Sequence, residues 1–120
     1  MKVLVVDDSP TMRRIVVQML KRLGYKDIIE ADHGKDALAR LKAEGNFELL
    51  LTDWNMPNKS GIELVREIRE TGSKVPVFMI TTESEKSSVV EAIQAGINDY
   101  LVKPFSADIL REKLEKYCSE

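Results

Sequence analysis

Five residues of this chain have side chains suited to work on a phosphoryl group, and each follows a short apolar run. Asp7-Asp8 follows Val3-Leu4-Val5-Val6, and Asp53 follows Leu49-Leu50-Leu51-Thr52. Thr81 follows Phe78-Met79-Ile80, and Lys103 follows Tyr100-Leu101-Val102. An aspartate is a nucleophile and a hard oxygen ligand, a threonine hydroxyl is a donor, and a lysine is a point positive charge suited to a phosphoryl oxygen. Brought to one crevice, the three carboxylates would repel one another. Two unit charges about 4 Å apart interact by roughly 4 kcal/mol at an effective dielectric near 20. Such a cluster needs a raised pKa or a cation. Few protein carboxylates with open positions suit magnesium, which keeps waters and shares phosphate oxygens. Nucleophile, metal, lysine and hydroxyl together describe phosphoryl transfer to an aspartate. The plainer reading is that strand-end loops are often acidic and that Asp8-Ser9-Pro10 only caps a helix. It explains any one of these residues, but not all of them on successive strand ends.

The elements that must position them alternate along the chain. Residues 3–6 read as a buried strand. Ser9-Pro10 is an N-cap with a proline at the first helical position, and Ile15, Val16, Met19, Leu20 and Leu23 recur at helical spacing up to Gly24. A second strand falls at 27–30, and Ala37, Leu38 and Leu41 mark a second helix that stops near Gly45. The third strand is expected at 47–52, followed by a loop over 56–61. Ile62, Val65 and Ile68 share a face of a third helix that ends near Gly72. Residues 75–80 read as the fourth strand, with Pro76 early in it or on an edge. Val89, Val90 and Ile93 carry a fourth helix to Gly96, and 100–102 is a short fifth strand. Ile109, Leu110, Leu114 and Tyr117 form the last helix, capped by Ser106. Five βα units with strands buried on both faces imply a parallel sheet with right-handed crossovers. The expected fold is a flavodoxin-like doubly wound (βα)5 α/β domain of strand order 2-1-3-4-5, with residues 1–120 as one domain. In that order Asp7, Asp8, Asp53, Thr81 and Lys103 converge on one crevice at the carboxyl ends of the strands.

Bulk properties agree. The chain has 120 residues, 32% of them charged and 43% hydrophobic, as an ordinary globular domain does, and a formal net charge of −2. That balance argues against a dedicated nucleic-acid binder. No apolar run approaches the roughly 20 residues of a membrane helix, and the first residues do not form a leader. Cys118 is the only cysteine, so an internal disulfide is ruled out and a cytoplasmic location is expected.

The sequence resembles response-regulator receiver domains over its whole length. The resemblance rests on Val5-Val6-Asp7-Asp8, Thr11-Met12-Arg13-Arg14-Ile15-Val16, Asp53-Trp54-Asn55-Met56-Pro57, Gln94-Ala95-Gly96 and Val102-Lys103-Pro104-Phe105. The Trp54-Asn55-Met56-Pro57 run and Tyr100 point to its chemotaxis members. The resemblance implies that Asp53 is the phosphoacceptor. It implies that Asp8 and Asp53 ligate Mg2+ through carboxylates, Asn55 through its backbone carbonyl, and Asp7 largely through water. Thr81 and Lys103, with Thr82 and Asn55, would contact the phosphoryl group, the Lys103-Pro104 bond would be cis, and Asn55 and Glu83 would tune dephosphorylation. Thr81 and Tyr100 would form the switch. Such a protein is a phosphorylation-activated signalling switch that promotes only its own phosphorylation and dephosphorylation. The implied partners are a histidine kinase and either a flagellar motor switch protein or a histidine phosphotransfer domain, and the protein is expected to be a monomer. Ser9-Pro10 departs from the aromatic-serine pair of the chemotaxis members, and Thr82 stands where alanine is frequent.

Other residues have plainer readings. Trp54 is a candidate reporter of metal binding. His33 is expected at the surface and Cys118 without a role. Lys86, Lys113 and Lys116 are either a solvated face or a partner surface. A phosphatase of the haloacid-dehalogenase type would need Asp-x-Asp after its first strand, where this chain has Asp7-Asp8-Ser9. A flavin carrier would need a Ser/Thr/Gly-rich first loop. A phosphorelay intermediate and a receiver cut from a longer regulator remain as alternatives within the family. With no output domain after the fifth helix, output is expected through protein binding.

Overall fold

The computed structural model describes residues 2–54, 56, 59–82 and 89–118. Five strands and five helices alternate: β1 (Lys2–Val6), α1 (Pro10–Arg22), β2 (Asp27–Ala31), α2 (Gly34–Glu44), β3 (Leu49–Asp53), α3 (Gly61–Glu70), β4 (Val77–Thr81), α4 (Val89–Ala95), β5 (Asp99–Val102) and α5 (Ala107–Cys118). All strand pairs are parallel and the order is β2-β1-β3-β4-β5. Because side chains alternate along a strand, each strand feeds two cores. Val3, Val5, Leu49, Leu51, Phe78 and Ile80 pack with Val16 and Leu20 of α1 and Leu110 and Leu114 of α5. Leu4, Val6, Leu50 and Met79 pack with Ala37 of α2, Leu64, Val65 and Ile68 of α3 and Ala92 of α4. Each fully buried leucine or phenylalanine contributes about 1.5–3 kcal/mol of transfer free energy. β1, β3 and β4 lie inside the sheet with both faces covered, which makes their carboxyl ends firm mounts for polar side chains.

The helix starts follow local chemistry. The Ser9 hydroxyl accepts from the Met12 N–H at 3.3 Å, with Pro10 in the first turn. Ser60 and Glu63 form a reciprocal capping box at α3. The Ser106 hydroxyl accepts from the Ile109 N–H at 3.2 Å. His33 caps α2, its Nδ1 accepting from the Asp36 N–H at 3.0 Å.

Each strand has a bound shifted by one or two residues from the expected one. β3 begins at Leu49 rather than Phe47 and includes Asp53 as its last residue. β4 begins after Pro76, which has no N–H to give; its carbonyl accepts from the Leu50 N–H at 2.9 Å instead. α4 buries Val89 and Ala92 and leaves Val90 and Ile93 exposed, so of the three residues expected to carry it only Val89 reaches the core. The far end of α4 is fastened by Arg69 of α3. Its Nε and Nη2 donate to the Gly96 carbonyl at 3.1 and 2.9 Å, and Nη1 donates to the Ser73 carbonyl at 3.0 Å. Gly96 has φ +120°, and a Cβ there would meet the Arg69 stem at 2.9 Å.

Candidate functional site

β1, β3, β4 and β5 run parallel and adjacent, so the residues at their carboxyl ends meet. One carboxylate oxygen each from Asp7, Asp8 and Asp53 lies within 4.8 Å of the others. Asp7 and Asp53 are buried, at 1% and 8% exposure, while Asp8 faces solvent. Asp53 Oδ1 accepts from its neighbour's backbone, the Trp54 N–H, at 2.9 Å and from Lys103 Nζ at 3.1 Å. Asp7 Oδ1 accepts from the Ser9 N–H at 2.9 Å. The Lys103-Pro104 peptide is cis, as the resemblance implied, and the Lys103 N–H donates to the Thr81 carbonyl at 2.7 Å.

Among the described residues, two buried side-chain polar atoms have no hydrogen-bond partner: Asp7 Oδ2 and Thr81 Oγ1. Both belong to this crevice. A buried polar group left unpaired costs about 1–3 kcal/mol. Two such costs at one place mark atoms held for something other than folding.

Charge follows the same pattern. Burial raises the pKa of Asp53 above the ordinary aspartate value. The Lys103 ammonium and the Trp54 N–H pull it down without cancelling the rise, and Asp8 adds to it. Burial likewise raises Asp7, opposed by the Ser9 hydrogen bond and reinforced by the Asp53 charge. A carboxyl whose pKa is higher folded than unfolded binds protons better in the folded state. It therefore costs stability as pH rises from the ordinary value through the folded one, and the cost is complete above that. In a chelator at neutral pH, Asp53→Asn is expected to melt above the wild type. The gap should close as pH falls through the folded pKa towards the ordinary value. A gain of about 1 kcal/mol would appear as roughly 3–5 °C in Tm for a chain of this size. Thermal melts against pH check this, and a variant that melts lower at neutral pH would contradict it.

The supporting residues are placed as follows. Trp54 is half-buried against the core on the α2–α4 side. Gly61, not singled out from the sequence, opens α3 beneath Asp53. A Cβ there would collide with the Asp53 carbonyl oxygen and would lie 2.8 Å from Met79 Sδ. Thr82 follows β4 and is half-buried. Asn55, Glu83 and Lys86 lie outside the described residues, as does the Cys118 side chain. Tyr100 pairs with Met79, and Val102 with Thr81. Strand alternation therefore puts Tyr100 on the same face as Thr81, one diagonal step away. Its ring is half-buried, with Lys113 Nζ 5.5 Å from the ring centre. Lys113 is paired with Asp99 at 2.8 Å, and Lys116 Nζ lies 5.3 Å from the Tyr117 ring. Neither is a purely solvated charge.

Known proteins decide the family. The response regulator receiver domain model matches residues 3–115. The chain belongs to the response-regulator receiver family. It is 50% identical over 117 residues to the chemotaxis protein CheY1 of Helicobacter pylori, covering 96% of this chain and 94% of that protein. It is also 50% identical over 118 residues to the chemotaxis protein CheY of Pseudomonas aeruginosa, covering 97% of this chain and 94% of that one. Among solved structures it superposes on the chemotaxis response regulator CheY4 of Vibrio cholerae with a TM-score of 0.87 at 34% identity, over 97% of both chains. The receiver fold and its sheet order thus stand on sequence and structure together. Among the described residues no helix is long and apolar enough to cross a membrane.

Proposed function

We propose that this receiver accepts a phosphoryl group on Asp53 from a phosphohistidine, with Mg2+ bound by the acidic cluster, and signals by binding another protein. The observation that carries the proposal is the meeting of three carboxylates within 4.8 Å, with Lys103 on the acceptor oxygen and an unpaired Thr81 hydroxyl at the neighbouring strand end.

The donor set fits magnesium: hard carboxylate oxygens, one of them buried and unpartnered on Asp7. Asp8 and Asp53 would hold the ion through carboxylates, Asp7 largely through water, and Asn55 through its backbone carbonyl. Magnesium supplies charge neutralisation at the phosphoryl oxygens. The chain's own side chains do the rest. An Asp53 carboxylate oxygen forms the new bond to phosphorus as the phosphorus–nitrogen bond of the donor breaks, and the leaving imidazole takes a proton. Lys103 holds one phosphoryl oxygen and Thr81 donates to another. Thr82 and Asn55 would add contacts to the phosphoryl group. Asn55 and Glu83 tune the water attack that ends the signal. Tyr100 turns when Thr81 is drawn to the phosphate. The relatives named as chemotaxis proteins, half identical across nearly the whole chain, support a chemotaxis role. The partners would then be a histidine kinase upstream and the flagellar motor switch downstream, with the receiver acting as a cytoplasmic monomer.

Trp54 gives the test. Its N–H donates to Asp53, so magnesium entering the cluster should change its fluorescence. Magnesium is expected to bind the unphosphorylated wild type weakly and to bind Asp8→Ala at least tenfold more weakly, within the range known for losing metal-site groups. No magnesium binding to wild type by fluorescence and calorimetry, or equal binding to Asp8→Ala, would overturn the site.

A further inference from the structure

We propose that Arg13 is a positioning residue for the metal-facing oxygen of Asp7, held to that task by Glu30. The inference rests on the reading of the acidic crevice as a magnesium site. Every polar atom of Asp7 but one is engaged by the protein. Its N–H donates to the Ala31 carbonyl at 3.1 Å, and Oδ1 accepts from the Ser9 N–H at 2.9 Å. Its carbonyl oxygen accepts from Arg13 Nη1 at 2.7 Å. Oδ2 alone is left, buried and unpaired. The three bonds fix the backbone and one side-chain oxygen, so the direction of Oδ2 is determined by them.

Arg13 is suited to its part. Its guanidinium is a planar fork that can serve two acceptors at once. Nη1 takes the Asp7 carbonyl while Nε takes Glu30 Oε1 at 2.9 Å. The Arg13 side chain is largely buried, and that of Glu30 is about half exposed. The contact also closes a ring through the chain. The Arg13 N–H donates to the Ser9 carbonyl at 2.9 Å, and the Ser9 N–H returns to Asp7 Oδ1. The first turn of α1 and the end of β2 therefore set one carboxylate jointly. Outer contacts of this kind typically govern 10–100-fold in metal affinity.

Charge and geometry predict opposite signs, which makes the test sharp. Removing Arg13 deletes the cation that sits on the Asp7 backbone carbonyl and leaves Glu30 behind. Charge alone would therefore tighten magnesium binding. Loss of positioning weakens it. Magnesium affinity is read by Trp54 fluorescence and calorimetry on the whole chain, with Tm measured in parallel. Arg13→Ala is expected to weaken magnesium about tenfold. Arg13→Lys keeps the charge and loses the fork, so it should fall between wild type and Arg13→Ala. Glu30→Gln keeps an acceptor for Nε and should lose less than either; with Arg13→Lys it carries the test if Arg13→Ala does not fold. Unchanged or tighter binding in the folded Arg13 variants, whatever their Tm, would overturn the positioning role. Failure of the wild type to bind magnesium would overturn the magnesium site as well; wild-type binding with unaffected variants would overturn this inference alone.

Discussion

Thr81→Ala is expected to remove most of the gain in partner affinity that phosphorylation brings, while leaving phosphorylation itself in place. The Thr81 hydroxyl is fully buried and has no hydrogen-bond partner among the described residues, so it has a strong reason to move towards a new acceptor oxygen. A phosphoryl group on Asp53 supplies such oxygens one strand away. Tyr100 lies on the same sheet face, diagonal to Thr81, and lines a surface groove with Val102, Phe105, Ile109 and Lys113. A Thr81 shift would open space for the half-buried ring to turn inward and reshape that groove. This is a population shift between two states. A partner that prefers the inward state must in turn favour the phosphorylated protein at equilibrium. Coupling of about 1–3 kcal/mol corresponds to roughly 5- to 150-fold tighter binding. The affinity for a motor-switch peptide, with and without a stable phosphate mimic, should show that tightening in wild type and little of it in Thr81→Ala. Equal tightening in both would remove Thr81 from the pathway. No tightening in wild type, alongside tight binding to a histidine phosphotransfer domain, would favour the phosphorelay reading.

The sheet and the placement of the acidic residues were legible because they depend on pattern. Five apolar runs with helical stretches between them allow few parallel arrangements, and each run ends where its polar residue begins. Asp7, Asp8, Asp53, Thr81 and Lys103 needed only that order to come together. What was not legible depends on contacts made in three dimensions. α4 carries apolar residues on more than one face, and spacing alone does not say that Val89 and Ala92 go inward while Val90 and Ile93 stay out. Arg13 reads as one of two adjacent surface arginines. Its link to the Asp7 carbonyl exists because the first turn of α1 passes the end of β1. His33 reads as a lone exposed histidine, yet it is the α2 cap in a position where Ser, Thr, Asp or Asn is the usual signal. Gly61 is one more loop glycine until the carbonyl of Asp53 is seen to occupy the space of its missing side chain.

The acceptor is the centre of the account, and its assignment is the most directly exposed to test. Among the described residues, Asp53 alone of the three clustered carboxylates is hydrogen-bonded by Lys103, through Oδ1, which also accepts from the Trp54 N–H. Asparagine has nearly the same shape and can keep the bond from the Trp54 N–H, but it offers no carboxylate nucleophile. Asp8 is exposed and has no such lysine contact among the described residues. The deciding measurement is intact mass after incubation with acetyl phosphate and magnesium, on wild type and Asp53→Asn side by side. The account predicts one phosphoryl group on the wild type, removed by hydroxylamine as an acyl phosphate must be, and no stoichiometric addition to Asp53→Asn; the same addition to both proteins would contradict it.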